Sequence, residues 1–295
     1  HLAPCPASSP PRPRVLVEFF FDTSSPWSYL AFSRIREVCA RSGAELSLRP
    51  VIVGGVFNVA NKALYASRDA ALARAARTTS SASPPTRASS SEGKSDAPTT
   101  SAPSPKDVWA ARDARAWADF LGLDIKPMME RFNARTRNGA PGHPISAVKM
   151  LRGALVAQEE STDALVRFCF ASFDAYWRRL LDVSDDAVVR QLHSEADLSI
   201  GLEGFMRRIN AIDIKDRLRH NTDELISRGG FGSPTMFISM PDNSHVFKTE
   251  MHFGNDRMEL VEAAVLRAQG LPWRFHDASR TPRMMPGPSG TSREK

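Results

Sequence analysis

Residues 15–30 read VLVEFFFDTSSPWSYL, and the junction in the middle of this stretch decides the fold. Val15 to Phe21 is a strand-length apolar run, rich in aromatics and closed by Asp22 and Thr23, which predicts a buried β-strand. Ser24, Ser25 and Pro26 follow. Serine is favoured just before a helix and proline in its first turn. Trp27, Ala31, Ile35 and Val38 then recur at helical spacing until Gly43, and Leu46, Leu48, Val51 and Val53 alternate as a second strand. A strand–helix–strand unit lays two parallel strands side by side through a right-handed crossover.

Beyond this unit the character changes. From about Thr78 to Pro105 the chain is Ser, Thr, Pro and Ala with almost no large apolar residue, which predicts a disordered loop. Helical stripes follow: Ala110, Ala114, Trp117 and Leu121; Ala147, Leu151 and Ala154; Leu165, Cys169, Ser172, Tyr176 and Leu180. Ser184, Asp185 and Asp186 read as a cap opening a further helix. Ile214, Leu218, Thr222 and Leu225 predict a helix stopped by Gly229 and Gly230. Thr235 to Met240 reads as a strand, Pro241 to Asn243 as a turn, and His245 to Lys248 as the returning strand. Asp256 with Glu259 resembles a capping box opening a last helix, with Leu260, Ala264 and Arg267 along one face. The order is thus βαβ, a long helical insertion, then αββα.

The chain of 295 residues is 42% apolar, enough to bury a core, and carries a net charge of +6. Its basic residues are spread out, with no Lys/Arg run interleaved with aromatics, so nucleic acid is not an expected partner; the charge suits a basic cleft for a small acidic ligand, or is only a solvated surface. No apolar run approaches the roughly 20 residues of a membrane-spanning helix. The first 14 residues lack the apolar core of a secretory signal. Cys5, Cys39 and Cys169 form no close pair, which argues against a disulfide scaffold, a metal cluster or a redox pair and points to an intracellular protein. Cys39 and Cys169 lie on apolar stripes and are expected to be buried.

Three segments carry chemistry. At the first strand–helix junction, free N–H groups and the helix dipole stabilise a thiolate, and a serine hydroxyl can hydrogen-bond it without becoming a nucleophile. Ser25 also reads as an ordinary N-cap. In FGSPTMF (231–237), a cis Ser233-Pro234 bond would present the Ser233 backbone to an extended peptide; a trans turn is the plain reading. In HFGNDRMEL (252–260), exposed N–H groups can take a carboxylate and Asp256 an ammonium, which suits an α-amino acid end, or Asp256 only caps its helix.

Together and in order, FFFDTSSPWSYLAF (19–32), LRPVIVGGVFNVANKA (48–63), FGSPTMF and HFGNDRMEL make the chain resemble the kappa-class glutathione transferases and the related 2-hydroxychromene-2-carboxylate isomerases, over roughly Val15 to Trp273. The resemblance implies an α/β fold, thioredoxin-like and similar to the disulfide oxidoreductases of the DsbA type, interrupted by a large all-helical insertion. It places the thioredoxin-like domain at 15–60 and 205–276 and the insertion at 61–204, with loose tails at 1–14 and 277–295. It implies glutathione as cofactor, with Ser25 contacting its sulfur, Asn61 helping to hold the tripeptide, Ser233 and Pro234 pairing with the cysteinyl backbone, and Asn255 and Asp256 binding the γ-glutamyl end. Where a disulfide oxidoreductase carries Cys-x-x-Cys, this chain carries Ser25 and Ser28, so the reacting sulfur must come from the ligand. The chain departs from the family pattern at Ala60-Asn61-Lys62-Ala63, where prolines are common after the Asn. The implied function is a kappa-type glutathione transferase, conjugating glutathione to an electrophile or reducing a peroxide in detoxification. The alternatives are an isomerase using glutathione without consuming it, and a glutathione-binding protein of weak activity. The family further implies a homodimer, a small electrophilic or aromatic substrate, no metal, and a mitochondrial or cytosolic location.

Overall fold

In a computed structural model of the chain, the described residues are 14–60, 105–126, 146–240 and 248–272. The expected loop at 78–105 lies, except for Pro105, outside them, as do both tails apart from Arg14.

Strand β1 (Leu16–Phe21) is central in a four-stranded sheet of order β2-β1-β3-β4. It runs parallel to β2 (Glu45–Pro50) and antiparallel to β3 (Thr235–Met240), which pairs antiparallel with β4 (Lys248–Phe253). Both faces of β1 are covered, which is why it is apolar on both. Phe19 and Phe21 join the main core, while Phe20 meets Phe237 edge-on at 5.6 Å on the opposite face. Glu18 is the exception, and Arg228 donates to it at 2.7 Å. Helix α1 (Pro26–Ser42) starts on the Ser25 cap and ends where Gly43 adopts φ +72°. Its Arg41 forks onto Glu262 at 2.8 and 2.6 Å, fastening α1 to the last helix, α9 (Met258–Ala268).

Between β2 and β3 come α2 (Val53–Ala60), α3 (Pro105–Leu121), α4 (Val148–Glu160), α5 (Thr162–Phe173), a π-turn (Asp174–Arg178), α6 (Asp186–Glu195), α7 (Leu202–Arg208) and α8 (Ile212–Ser227). The insertion docks through aromatics: Phe32 meets Phe170 at 5.3 Å and Tyr29 stacks on Phe173 at 4.7 Å. A fold that is thioredoxin-like with a helical insertion, as expected, is what results.

Several local expectations change. The second strand stops at Pro50, because the Val53 N–H is drawn to the Asp22 carboxylate and starts α2 instead. The expected turn at Pro241–Asn243 and the expected start of the returning strand lie outside the described residues; the strand as described, Lys248–Phe253, runs five residues beyond the expected end. The Asp256 capping box does not form; Asp256 sits in a 3-10 turn (Asn255–Arg257), and no side chain caps α9. The buried face of α9 is Met258, Val261, Ala264 and Val265, leaving Leu260 and Arg267 outside.

Candidate active site

The site grows from the end of β1. The Ser25 N–H donates to the Asp22 carbonyl at 3.0 Å, turning the chain into α1. Ser25 Oγ accepts from the Ser28 N–H at 3.2 Å and donates to the Ser233 carbonyl at 3.1 Å. Pro26 has no N–H, and the Tyr29 N–H is taken by the Ser25 carbonyl at 3.2 Å. The Trp27 N–H is therefore the first-turn donor with no partner among the described residues, at the positive end of the helix dipole. Ser28 Oγ and Ser233 Oγ lie 2.6 Å apart, and Ser233 Oγ also accepts from the Asp22 N–H at 2.9 Å.

Asp22 is the hub beneath this. It is 2% exposed. Its Oδ1 accepts from the Ser24 N–H at 2.8 Å and the Ser24 hydroxyl at 2.7 Å, and its Oδ2 from the Val53 N–H at 2.8 Å. Burial pushes its pKa up, and the three donors offset this only in part. The neighbouring Thr23 carbonyl accepts from Trp177 Nε1 at 3.1 Å, so the π-turn of the insertion reaches the site directly.

The Ser233-Pro234 bond is cis. The Ser233 N–H has no partner among the described residues, whereas its carbonyl, expected to be free for a ligand, holds the Ser25 hydroxyl. The Pro234 carbonyl accepts from the Gly254 N–H at 3.1 Å, bringing the third segment alongside. Gly254 has φ +109°, and a Cβ there would come within 2.5 Å of Asp256 Oδ1, so this turn requires glycine. Asn255 is 3% exposed, and its buried Nδ2 has no partner among the described residues. The Asp256 carboxylate is exposed, 3.4 Å from the Arg257 guanidinium.

Of the expected site residues, Ser25, Ser233 and Pro234 thus meet directly, and Asn255 and Asp256 join them through Gly254. Asn61 lies outside the described residues. Trp109 is 64% exposed on α3 and no part of the core. His252 lies on the α9 side of the sheet, 3.0 Å from Glu250; burial pushes its pKa down, against the Glu250 carboxylate. Two surface cavities, of about 680 and 550 Å³, touch neither Ser25 nor Ser233: one lies along the β2 edge by Arg49 and Arg217, the other behind β4 by His252 and Leu271. Asp22, Ser28 and Trp177 were not expected as site residues. The first two sit within the quoted motif, where an acid directly after an apolar strand is a usable signal. Trp177 has none, since its partner is 154 residues away.

Fold and site together define a thioredoxin-type protein whose helix start carries serine rather than cysteine. The chain belongs to the DSBA-like thioredoxin domain family, whose model matches residues 16–83 and 84–266. It is 21% identical over 252 residues, 85% of this chain and 90% of the relative, to glutathione S-transferase kappa 1 of Rattus norvegicus. Its fold is similar to that of a 2-hydroxychromene-2-carboxylate isomerase (TM-score 0.53, 19% identity, 90% of this chain and 99% of that one). It is also similar to the cytosolic disulfide reductase DsbM of Pseudomonas aeruginosa solved with GSH (TM-score 0.50, 12% identity, 86% and 98%). No helix among the described residues is long and apolar enough to cross a membrane.

Proposed function

We propose that this chain is a glutathione-dependent enzyme of the kappa transferase type, in which the Ser25 hydroxyl hydrogen-bonds the glutathione sulfur. One observation carries the reading: the N-cap hydroxyl of α1 lies 3.1 Å from the carbonyl of the residue before a cis-proline, whose own N–H has no partner among the described residues. A thiol-bearing extended peptide matches that pair of groups. The kappa transferase relative and the GSH-bound relative of the same fold support the choice of tripeptide.

Bound glutathione supplies a thiolate nucleophile, which a Ser25-x-x-Ser28 helix start does not provide. On binding, the Ser25 hydroxyl turns its proton from the Ser233 carbonyl to the sulfur, which frees that carbonyl, and together with the Trp27 N–H it favours the ionised sulfur. Ser233 offers its N–H and C=O to the cysteinyl backbone, with Pro234 holding that edge outward. The N–H groups of the Asn255–Arg257 turn suit the γ-glutamyl carboxylate, and Asp256 the ammonium beside it. Asn61 adds a contact to the tripeptide.

Ser25→Ala tests this. A hydrogen bond to a charged group contributes about 1.5–3 kcal/mol, so the midpoint of the pH–rate profile should rise by roughly one to two pH units, with tripeptide affinity mostly kept. An unchanged profile would refute the role of Ser25. Glutathione consumption in the same assay marks a transferase; substrate interconversion without consumption marks the isomerase.

A further inference from the structure

The Asn255–Arg257 turn has no side-chain cap of its own, and neither does α9 behind it. Its position is imposed from outside. One tie is the Gly254 N–H on the Pro234 carbonyl. The other is Arg34, on the third turn of α1. Its Nη1 donates to the Asn255 carbonyl at 3.4 Å, and its Nη2 pairs with Glu259 in the first turn of α9. The same guanidinium lies 5.6 Å from the ring centroid of Trp117 on α3, within cation–π range. The Arg34 side chain is only 17% exposed, so it is held between the insertion and the turn. A planar fork that stacks on one face and donates at its edge is a job arginine does and lysine does not.

We propose that Arg34 is a positioning residue that, backed by Trp117 of the insertion, fixes the Asn255–Arg257 turn and so sets the preference of the site for a ligand with an α-amino acid end. The inference rests on the glutathione reading above. Neither Arg34 nor Trp117 need touch the ligand. The insertion then tunes recognition at the γ-glutamyl end, while ionisation of the sulfur stays with Ser25.

The test compares glutathione with cysteinylglycine, which keeps the thiol and lacks the γ-glutamyl group. Binding to the full chain is measured by calorimetry, and the bound-thiol titration by the pH–rate profile. The variants are Arg34→Met and Trp117→Ala; the second leaves the Arg34–Glu259 pair in place and covers the case that the first does not fold. The unsubstituted chain should prefer glutathione. In both variants that preference should fall about tenfold with the pH midpoint unmoved, and Arg34→Lys should recover only part of it. If the unsubstituted chain binds neither thiol, the glutathione reading fails and this inference with it. If it prefers glutathione and either variant keeps the full preference, this inference alone is overturned, even where melting temperature drops, since that outcome marks a structural role only.

Discussion

Asp22 shows how much one buried carboxylate can organise. It holds the strand end, the entry to α1 and the start of α2 through three donors. It does so at an electrostatic cost, because burial raises its pKa in the folded state. The folded protein therefore binds this proton more tightly than the unfolded chain does. The resulting stability is fully present below the ordinary carboxylate range and is lost as pH rises through the raised folded value. Asp22→Asn removes that dependence while setting an amide N–H against a backbone donor. The urea midpoint of the unsubstituted chain should thus decline with pH from about pH 4 upward more steeply than that of the variant; parallel curves would show that Asp22 does not titrate in this way. The residue scale is also where the sequence was most legible. Ser25, Ser233 and Pro234 were marked by local chemistry, since a cap before a proline and a Ser-Pro before a strand are short-range signals. That the Ser233 carbonyl is held by Ser25 was not legible, because the two lie 208 residues apart.

Among the elements, the best-read are those whose signal is periodic and local: β1, α1, β3 and α8. The misread ones lost to contacts from elsewhere. Val53 alternates well enough for a strand, but a carboxylate 31 residues upstream takes its N–H and opens a helix. Leu260 reads as core on α9, yet the helix is rotated to bury Val261 and Val265 against the sheet and α1. Helix α4 is placed by a close approach. A Cβ on Gly153 would stand 2.4 Å from Phe168 Cζ and 3.1 Å from Phe205 Cζ, both rings fully buried. Gly153→Ala should therefore destabilise the protein by about 1–3 kcal/mol in urea denaturation, despite the better helix propensity of alanine. A stabilised variant would mean that α4 and α5 can part at no cost.

Over the whole molecule, the thioredoxin-like part and the insertion share one core. Phe21 and Phe32 lie against Phe173, at 6.5 and 5.4 Å, and Trp177 closes on the Thr23 carbonyl. Two buried thiols report on the two parts. Cys39 is on α1, where burial pushes its thiol up to about 12, and Cys169 is on α5, where burial raises it further. Neither should react with a thiol reagent at neutral pH in the folded protein, and both should become reactive at the same urea concentration. Separate midpoints would show that the insertion unfolds on its own. The amino-acid order by itself determined the class of fold, the strand–helix junction with its serine, and the presence of a Ser-Pro before a strand, because these rest on apolar periodicity and on capping between near neighbours. The tertiary structure alone decided that Asp22 joins three segments, that the Ser25 hydroxyl lies on Ser233, and that Arg34 links α3 to the Asn255–Arg257 turn. Ser25 meets Ser233 because β1 pairs with β3, Val53 reaches Asp22 because β1 pairs with β2, and Arg34 meets Trp117 because the insertion packs on α1; none of these long-range pairings is visible to local periodicity.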